Sequence, residues 1–200
     1  MSEYNAAIVH VIDDDSDLGA AVARLLVRKG YRALSFVSAE AMLKVSEVSP
    51  ADCVVTDVMM DGMDGFDFAE ALRARDPASA IIFMTAWPTT ANAVDAIRRY
   101  GGLDYLEKPI DEERLVAAIA EGVAWSQRRR TALGYIDRLT AREKQVLYLL
   151  AAGMSNKMIA AELKLSPKTI EDHRAAIMTK TGSNGMARIV ALARDAGRNG

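Results

Sequence analysis

The amino-acid sequence predicts an α/β domain with a (βα)5 pattern, followed by a smaller all-α domain of four helices. Short apolar runs alternate with helix-like segments over the first 120 residues, and no strand-like run follows. The charge divides in a similar way: residues 1–120 carry 11 Lys and Arg against 20 Asp and Glu, whereas residues 137–200 carry 11 against 6. An acidic part joined to a basic part predicts that only the second meets a polyanion such as nucleic acid, although chance variation of surface charge would give the same pattern.

The strands of the first domain are predicted from five apolar runs, at residues 7–12, 33–37, 53–56, 81–84 and 103–106. Short runs without polar alternation are typical of a parallel sheet that is buried on both faces. Between these runs, apolar residues recur at helical spacing within residues 18–26, 66–72, 93–97 and 115–119. In a doubly wound sheet of this kind, ligands bind at the carboxyl ends of the strands.

Cap signals predict the helices of the second domain. Thr140 and Glu143 form a capping-box sequence for the first of them. The other three are expected to begin at Ser155, at Ser166 before Pro167, and at about Gly185. We therefore predict three segments: a first domain at 1–122, a helical linker at 123–137 and a second domain at 138–200.

The sequence has neither a basic and apolar leader nor an apolar run long enough to cross a bilayer. We therefore expect a soluble, cytoplasmic protein with no membrane partner. The single cysteine, Cys53, lies in a strand-like run and is expected to be a buried structural thiol.

Acidic residues follow two of the predicted strands directly. Asp13 and Asp14 come after the first strand and Asp57 after the third. Because the carboxyl ends of parallel strands meet at one edge, these carboxylates would repel one another unless a hard divalent cation such as Mg2+ holds them. Thr85 follows the fourth strand and Lys108 the fifth, so a hydroxyl and a cation converge on the same edge. A carboxylate that carries a phosphoryl group needs such partners for its added charge.

These residues resemble the receiver domain of two-component response regulators, a flavodoxin-like fold, over residues 7 to about 122. The resemblance implies that Asp57 accepts a phosphoryl group from the phosphohistidine of a sensor histidine kinase. It also implies that Asp14, Asp57 and the carbonyl of Met59 bind Mg2+, with Asp13 assisting through water, and that Lys108 pairs with the phosphoryl group.

The resemblance further implies a switch. Thr85 would move to a phosphoryl oxygen, and Tyr105 would turn inward behind it. The peptide bond between Lys108 and Pro109 is expected to be cis, an isomer that is readily adopted only before proline.

The chain departs from the usual receiver sequence in two loops. Asp61 and Gly62 stand where the family usually has a proline, which predicts a looser loop and an added carboxylate near the metal. Trp87 stands two residues after Thr85, where smaller residues are usual. We predict that Trp87 and Met59 shield the acyl phosphate from water, so that autodephosphorylation is slow.

Residues 139–196 resemble the LuxR-type helix-turn-helix, and its combination with a receiver is the NarL/FixJ arrangement, FixJ-like in sequence. The stretches that carry the resemblance are 153–160, 163–170 and His173-Arg174. The helix that begins at Pro167 is then the recognition helix, whose N-terminal turns face the major groove of DNA.

The exposed face of this helix supplies the candidates for base contact: Lys168, Glu171, Asp172 and Ala175. The candidates for phosphate contact, which position the domain without reading sequence, are Lys157, Thr169, His173, Arg174 and Lys180. Glu171 can accept from cytosine N4. Asp172 stands where the family often has an apolar residue, so it either reads cytosine or lowers the affinity for DNA.

One module of this size makes few phosphate contacts, so tight binding to double-stranded promoter DNA predicts a homodimer on two half-sites, formed on phosphorylation. The resemblance implies that the receiver dimerises through residues 90–100, the fifth strand and the fifth helix, and that the resting receiver covers the recognition helix. The last helix, with Ile189, Val190 and Leu192, is expected either to pack in the core or to supply a dimer surface.

Two other functions remain open on the sequence. An aspartate-nucleophile phosphatase of the dehalogenase type would have an aspartate where this chain has Met59, and would carry a substrate cap. A phosphorylation-dependent interaction protein with weak or absent DNA binding is the other alternative, and Asp172 favours it. The prediction is a response-regulator transcription factor rather than an enzyme.

Overall fold

The computed structural model describes residues 6–46 and 49–197. The chain divides into two compact units, the first ending at Gln127 and the second beginning at Arg128.

The first unit is built on a five-stranded parallel sheet in the order β2-β1-β3-β4-β5. The strands are β1 (Ile8–Ile12), β2 (Arg32–Phe36), β3 (Cys53–Asp57), β4 (Ala80–Thr85) and β5 (Asp104–Glu107). Each begins and ends within one residue of its predicted position. The predicted (βα)5 pattern is confirmed.

Helices cover both faces of the sheet. They are α1 (Ser16–Arg28), α2 (Ala39–Ser46), α3 (Gly65–Arg75), α4 (Thr90–Arg98) and α5 (Glu112–Asp137). Side chains from α1 and α5, including Leu26 and Ile119, share a core with Val9 and other strand residues, whereas α2, α3 and α4 pack on the opposite face around Phe68 and Phe83. Because β3 and β4 are buried over their whole length, their sequences show no polar alternation.

Helix α2 is the one helix of this unit that the apolar spacing did not mark. Its described part, Ala39–Ser46, is 8 residues long. Its start is fixed by Ser38, whose hydroxyl accepts a hydrogen bond from the Ala41 amide at 3.2 Å. Met42 and Leu43 are its main buried apolar residues, which is too short a pattern to stand out in sequence.

The second unit contains the last turns of α5 followed by α6 (Ala141–Ala151), α7 (Asn156–Leu163), α8 (Pro167–Thr181) and α9 (Met186–Ala196). All four begin after the predicted cap residues, and the capping box of Thr140 and Glu143 has both of its hydrogen bonds. The side chains of Ile159, Ile170 and Ile177 are fully buried between α7 and α8.

Helix α5 is continuous and contributes to both hydrophobic cores. Leu115 and Ile119 belong to the core of the first unit, and Ala132 and Ile136 to that of the second. The segment 123–137 is therefore helical, as predicted, while its limits as a linker stay a prediction.

In the part of the chain that the structure describes, none of the helices combines the length and the apolar character needed to cross a membrane. Cys53 is fully buried in β3, and burial raises the pKa of its thiol well above the usual range.

Candidate phosphoacceptor pocket and DNA-binding helix

Four polar side chains stand at the carboxyl edge of the sheet. Asp13 follows β1, Asp57 and Thr85 are the last residues of β3 and β4, and Lys108 follows β5. The direction of winding reverses between β1 and β3, which is where open α/β sheets bind their ligands. Asp13, Asp57 and Thr85 are buried, so the site is a pocket in the folded domain and not a surface cluster.

Lys108 joins two of these carboxylates. Its Nζ donates to Asp13 Oδ2 at 2.8 Å and also to Asp57 Oδ2. Burial by itself lowers the pKa of Lys108, but its hydrogen bonds and charge interactions with the two carboxylates outweigh burial and raise it. Burial raises the pKa of Asp13, and the ammonium only partly offsets that effect. The pocket thus gathers negative charge around one fixed cation.

The three carboxylates form a cluster that is compatible with a divalent metal ion. Oxygen atoms of Asp13, Asp14 and Asp57 lie within 4.8 Å of one another. Backbone amides orient the two buried ones: Asp57 Oδ1 accepts from the Met59 N–H at 3.1 Å, and Asp13 Oδ1 from the Asp15 N–H at 3.0 Å. A set of oxygen ligands with Asp14 open to solvent fits a hard divalent cation that keeps some of its waters, as Mg2+ does. Ligation by the Met59 carbonyl stays a prediction.

Thr85 and Tyr105, the predicted switch residues, lie on neighbouring strands. Thr85 Oγ1 accepts from the Trp87 N–H at 3.1 Å. The ring of Tyr105 packs against the core around Phe83, and its hydroxyl is buried with no hydrogen-bond partner among the described residues. The inward turn of Tyr105 on phosphorylation stays a prediction. The predicted bond between Lys108 and Pro109 is cis.

The two loops that depart from the usual receiver pattern carry exposed side chains. Met59 and Trp87 have 62% and 75% of their surface accessible, and Asp61 is exposed in the same loop as Met59. The two apolar side chains lie in the loops that directly follow Asp57 and Thr85. Whether they slow hydrolysis stays a prediction.

A contact from α2 holds the loop that lacks the usual proline. Glu40 Oε1 accepts from the Met63 N–H at 3.2 Å and lies close to Gly62, whose φ is +83°. Sequence reasoning missed this contact because the two partners are 23 residues apart.

Gly65, the first residue of α3, was also missed. A Cβ at this position would lie 2.3 Å from the carbonyl oxygen of Asp57. Glycine therefore lets α3 approach the backbone of the proposed phosphoacceptor. The sequence signal was present, because Asp64 caps α3 and a glycine at the start of a helix invites a packing explanation.

On α8, the inner and outer faces separate clearly. Ile170, Ile177 and Thr181 are buried. The four candidates for base contact, Lys168, Glu171, Asp172 and Ala175, are all exposed on one stripe. Lys168 Nζ lies 3.3 Å from Asp172 Oδ1 and 3.7 Å from Glu171 Oε2.

The candidates for phosphate contact differ in whether their side chains already have hydrogen-bond partners within the domain. Lys157 is exposed, His173 is half-buried, and Thr169 Oγ1 shares a hydrogen bond with Ser166 Oγ at 2.8 Å. The other two have internal partners: Arg174 Nη1 donates to Asn156 Oδ1 at 2.9 Å, and Lys180 Nζ donates to both oxygens of Glu143 at 2.7 and 2.8 Å. Since Glu143 is buried, Lys180 has a structural role between α6 and α8, and its phosphate contact stays a prediction.

The chain matches the family "Response regulator receiver domain" over residues 9–120. It belongs to the response regulators. A second match, to "Bacterial regulatory proteins, luxR family", covers residues 137–193 and so includes α6, α7 and α8.

Relatives align with this chain over nearly its whole length, and so over both matched regions. This response regulator is 37% identical over 196 residues to the transcriptional regulatory protein FixJ of Bradyrhizobium diazoefficiens, which covers 94% of this chain and 95% of that protein. It is 30% identical to the tetrathionate response regulatory protein TtrR of Salmonella typhimurium, with 92% and 90% covered. A crystal structure of full-length FixJ from B. japonicum is similar, with a TM-score of 0.56, 35% identity, and 95% and 97% of the two chains covered.

These comparisons confirm the predicted family and fold. The response regulator is a transcription factor with a receiver and a LuxR-type DNA-binding domain, and not a phosphatase of the dehalogenase type.

Proposed function

We propose that this response regulator accepts a phosphoryl group on Asp57 from a sensor histidine kinase, and that phosphorylation promotes dimerisation and binding of α8 to promoter DNA. The observation that carries the proposal is the contact of one ammonium, Lys108, with both Asp57 and Asp13 in a buried pocket. A buried carboxylate with a cation already beside it is prepared for a product that carries more negative charge than the carboxylate itself.

In the proposed transfer, an Asp57 carboxylate oxygen attacks the phosphorus of a phosphohistidine. The P–O bond forms as the P–N bond breaks, and the imidazole leaves with the electron pair. Lys108 stays beside the new phosphoryl oxygens and balances part of their charge. Mg2+ held by Asp13, Asp14, Asp57 and the Met59 carbonyl would neutralise a further part when bound.

The phosphoryl group is then sensed by the two switch residues. We infer that Thr85 turns its hydroxyl from the Trp87 N–H to a phosphoryl oxygen, and that Tyr105 occupies the space behind it. The buried, unpartnered hydroxyl of Tyr105 supports this inference, because the side chain is directed inward and lacks a hydrogen bond that a rearranged loop can provide.

A groove beside the pocket is suited to the kinase partner. It has a volume of about 460 Å³ and lies between α1 and the start of α5, next to Lys108 and Pro109. Leu18, Leu25 and Ile110 line it, so an apolar helix face of the kinase can approach Asp57 from this side.

For dimerisation, exposed apolar residues support the surfaces that the family resemblance implies. Val94 and Ile97 are exposed on α4, and Val190 is exposed on α9 while Ile189 is buried in the core. We propose that the receiver pairs through α4, β5 and α5, and that residues 123–137 link it to the DNA-binding domain at 138–200. Because its proposed target is promoter DNA, we place the protein in the cytoplasm.

The experiment that tests the acceptor uses the full chain with acetyl phosphate, with and without Mg2+, and detects the phosphoprotein by phosphate-affinity electrophoresis and intact mass. Asp57→Asn removes the nucleophile, and Asp67→Asn, an exposed acid on α3, is the matched control. Wild type and Asp67→Asn should be labelled only when Mg2+ is present. Labelling of Asp57→Asn to the level of wild type would refute the assignment.

One observation favours a second function. The outward stripe of α8 carries two carboxylates and one ammonium, which is a poor surface for a polyanion. A protein that dimerises on phosphorylation and contacts another protein through this stripe would bind DNA weakly and without salt dependence. A steep loss of DNA binding with increasing salt would exclude it.

A further inference from the structure

We propose that Lys168 and Asp172 act together as one reading unit for a G·C base pair, in which the ammonium donates to guanine and the carboxylate accepts from the cytosine of the same pair. The proposal rests on the proposed binding of α8 to DNA and names the base pair that this helix selects.

Both residues lie on the part of α8 that can enter a groove. Pro167 is the first residue of the helix, so Lys168 is in its first turn and Asp172 one turn further along the same face. The opposite face is occupied by Ile170 and Ile177 in the core. In helix-turn-helix proteins, the N-terminal turns of the second helix contact base edges.

The two side chains already form a pair. Lys168 Nζ and Asp172 Oδ1 are 3.3 Å apart, whereas Glu171 Oε2 is 3.7 Å from the same nitrogen. The pKa of Lys168 is raised chiefly by its hydrogen bond to Asp172 and only secondarily by the charge of Glu171. Asp172 is therefore the main partner. Because the pair is exposed, it is weak and can change partners when a ligand arrives.

The pair resolves the difficulty that a carboxylate presents at a DNA interface. A lone Asp172 would carry a full negative charge towards a polyanion. Joined to Lys168, it enters the groove as part of a neutral donor and acceptor pair, and Glu171 is left as the unbalanced charge of the stripe. This arrangement offsets the charge of Asp172, and it leaves two ammonium hydrogens and the remaining carboxylate lone pairs for base edges.

The edge of a G·C pair offers the complementary groups in the complementary order. Guanine presents O6 and N7 as acceptors, and cytosine presents its N4 amino group as a donor beside O6. O6 and N4 are themselves hydrogen-bonded at roughly 3 Å, which is close to the spacing of the protein donor and acceptor. An A·T pair gives the ammonium one acceptor at a time, adenine N7 or thymine O4, because the adenine amino group lies between them, whereas guanine offers N7 and O6 side by side. G·C is therefore preferred over A·T.

The test combines selection with a double-mutant cycle. Full-length protein treated with acetyl phosphate selects from duplexes with a randomised half-site, and fluorescence anisotropy then measures its affinity for all four base pairs at each selected position. The variants are Lys168→Met, Asp172→Asn and the double variant. Glu162→Gln, which removes an exposed carboxylate from α7, is the charge-matched control.

At one position of the half-site, wild type should bind the duplex with G·C about tenfold more tightly than duplexes with the other base pairs. Each single variant should lose this preference, and the double variant should lose no more than either single one. Glu162→Gln should keep the preference. Replacing the guanine by 7-deazaguanine should weaken binding of wild type and leave that of Lys168→Met unchanged.

Two results would overturn the proposal. In the first, Asp172→Asn tightens binding to every duplex by the same factor as Glu162→Gln, which would make Asp172 a simple source of repulsion. In the second, the two single variants relax selectivity at different base pairs. A wild-type protein that binds no duplex even at low salt would refute DNA binding itself, and with it this proposal.

Discussion

Lys108 in the receiver and Lys168 on the recognition helix each contact two carboxylates, yet their surroundings are opposite. The side chain of Lys108 is 14% exposed and that of its partner Asp13 is fully buried, whereas the side chain of Lys168 is 77% exposed. A buried pair cannot separate without leaving a charge unpaired, while an exposed pair exchanges freely with water. The same residue types therefore form a fixed cluster in the proposed phosphoacceptor pocket and an adaptable one on the proposed reading surface.

The largest loss of stability is expected for a substitution at Gly65, where α3 packs tightly against the backbone of Asp57. Gly65→Ala places a methyl group 2.3 Å from the Asp57 carbonyl, so α3 must move away from the pocket. We expect a loss of about 3 kcal/mol in the free energy of unfolding, measured by urea denaturation, and loss of phosphoryl uptake. Gly134→Ala is the control, since the added methyl group would meet no atom within 4 Å other than its chain neighbours and the backbone of its own helix. It should stabilise α5 by about 0.5–1 kcal/mol, and equal effects of the two substitutions would contradict the packing argument.

The next largest effect is expected when the stabilities of variants at the two lysines are compared. Lys108→Met leaves Asp13 and Asp57 without their cation, and should lower the free energy of unfolding by about 2 kcal/mol in Mg2+-free buffer. Added Mg2+ should restore part of this loss, because the metal replaces the missing positive charge. Lys168→Met should leave the urea midpoint unchanged. A Lys108→Met protein as stable as wild type without Mg2+ would remove the distinction between the two clusters.

The two histidines of the chain extend the comparison to pH. His10 is buried on β1, neither ring nitrogen has a partner among the described residues, and burial lowers its pKa. The unfolded chain then binds a proton more readily than the folded one, so stability is complete above about pH 6.5 and is lost as the pH falls towards the folded pKa. The slope is at most about 1.4 kcal/mol per pH unit.

His10→Leu should remove this slope between pH 7 and 5.5, as followed by urea denaturation at each pH. His173→Gln on α8 should keep it. If the two variants keep the same slope as wild type, then His10 is not the group responsible.

The smallest effect is expected for Trp87, an exposed residue in the loop that follows Thr85. Trp87→Ala should shorten the lifetime of the phosphoryl group severalfold, because it opens a path for water to the acyl phosphate. The measurement is the decay of acid-labile phosphate after the phosphodonor is removed. Val27→Ala, which truncates another exposed apolar residue of the first unit, is the control. An unchanged lifetime in Trp87→Ala would show that Trp87 does not shield the site.

The features that could be predicted from sequence are those that depend on residues close together in the chain. Asp57, Thr85 and Lys108 each follow a short apolar run, and parallel strands bring such residues to one edge whatever the rest of the chain does. Helix starts were equally accessible, because a cap and the amides it satisfies are three residues apart.

The features that could not be predicted depend on packing between distant parts of the chain. The hydrogen bond from Met63 to Glu40 joins residues 23 apart, and the ion pair of Lys180 with Glu143 joins residues 37 apart. The steric need for glycine at position 65 appears only when α3 is placed against β3. The sequence also predicts Lys180 and Arg174 as phosphate contacts. It does not reveal that both side chains have hydrogen-bond partners within the domain.

The most direct test of the account measures DNA binding before and after phosphorylation. Full-length protein is titrated against a labelled duplex from its own promoter region by fluorescence anisotropy, with and without acetyl phosphate and Mg2+, at several salt concentrations. We expect phosphorylation to tighten DNA binding by wild type at least tenfold, with a steep dependence on salt, and to leave binding by Asp57→Asn unchanged. Equal affinity of wild type with and without the phosphodonor would contradict the claim that Asp57 controls the recognition helix.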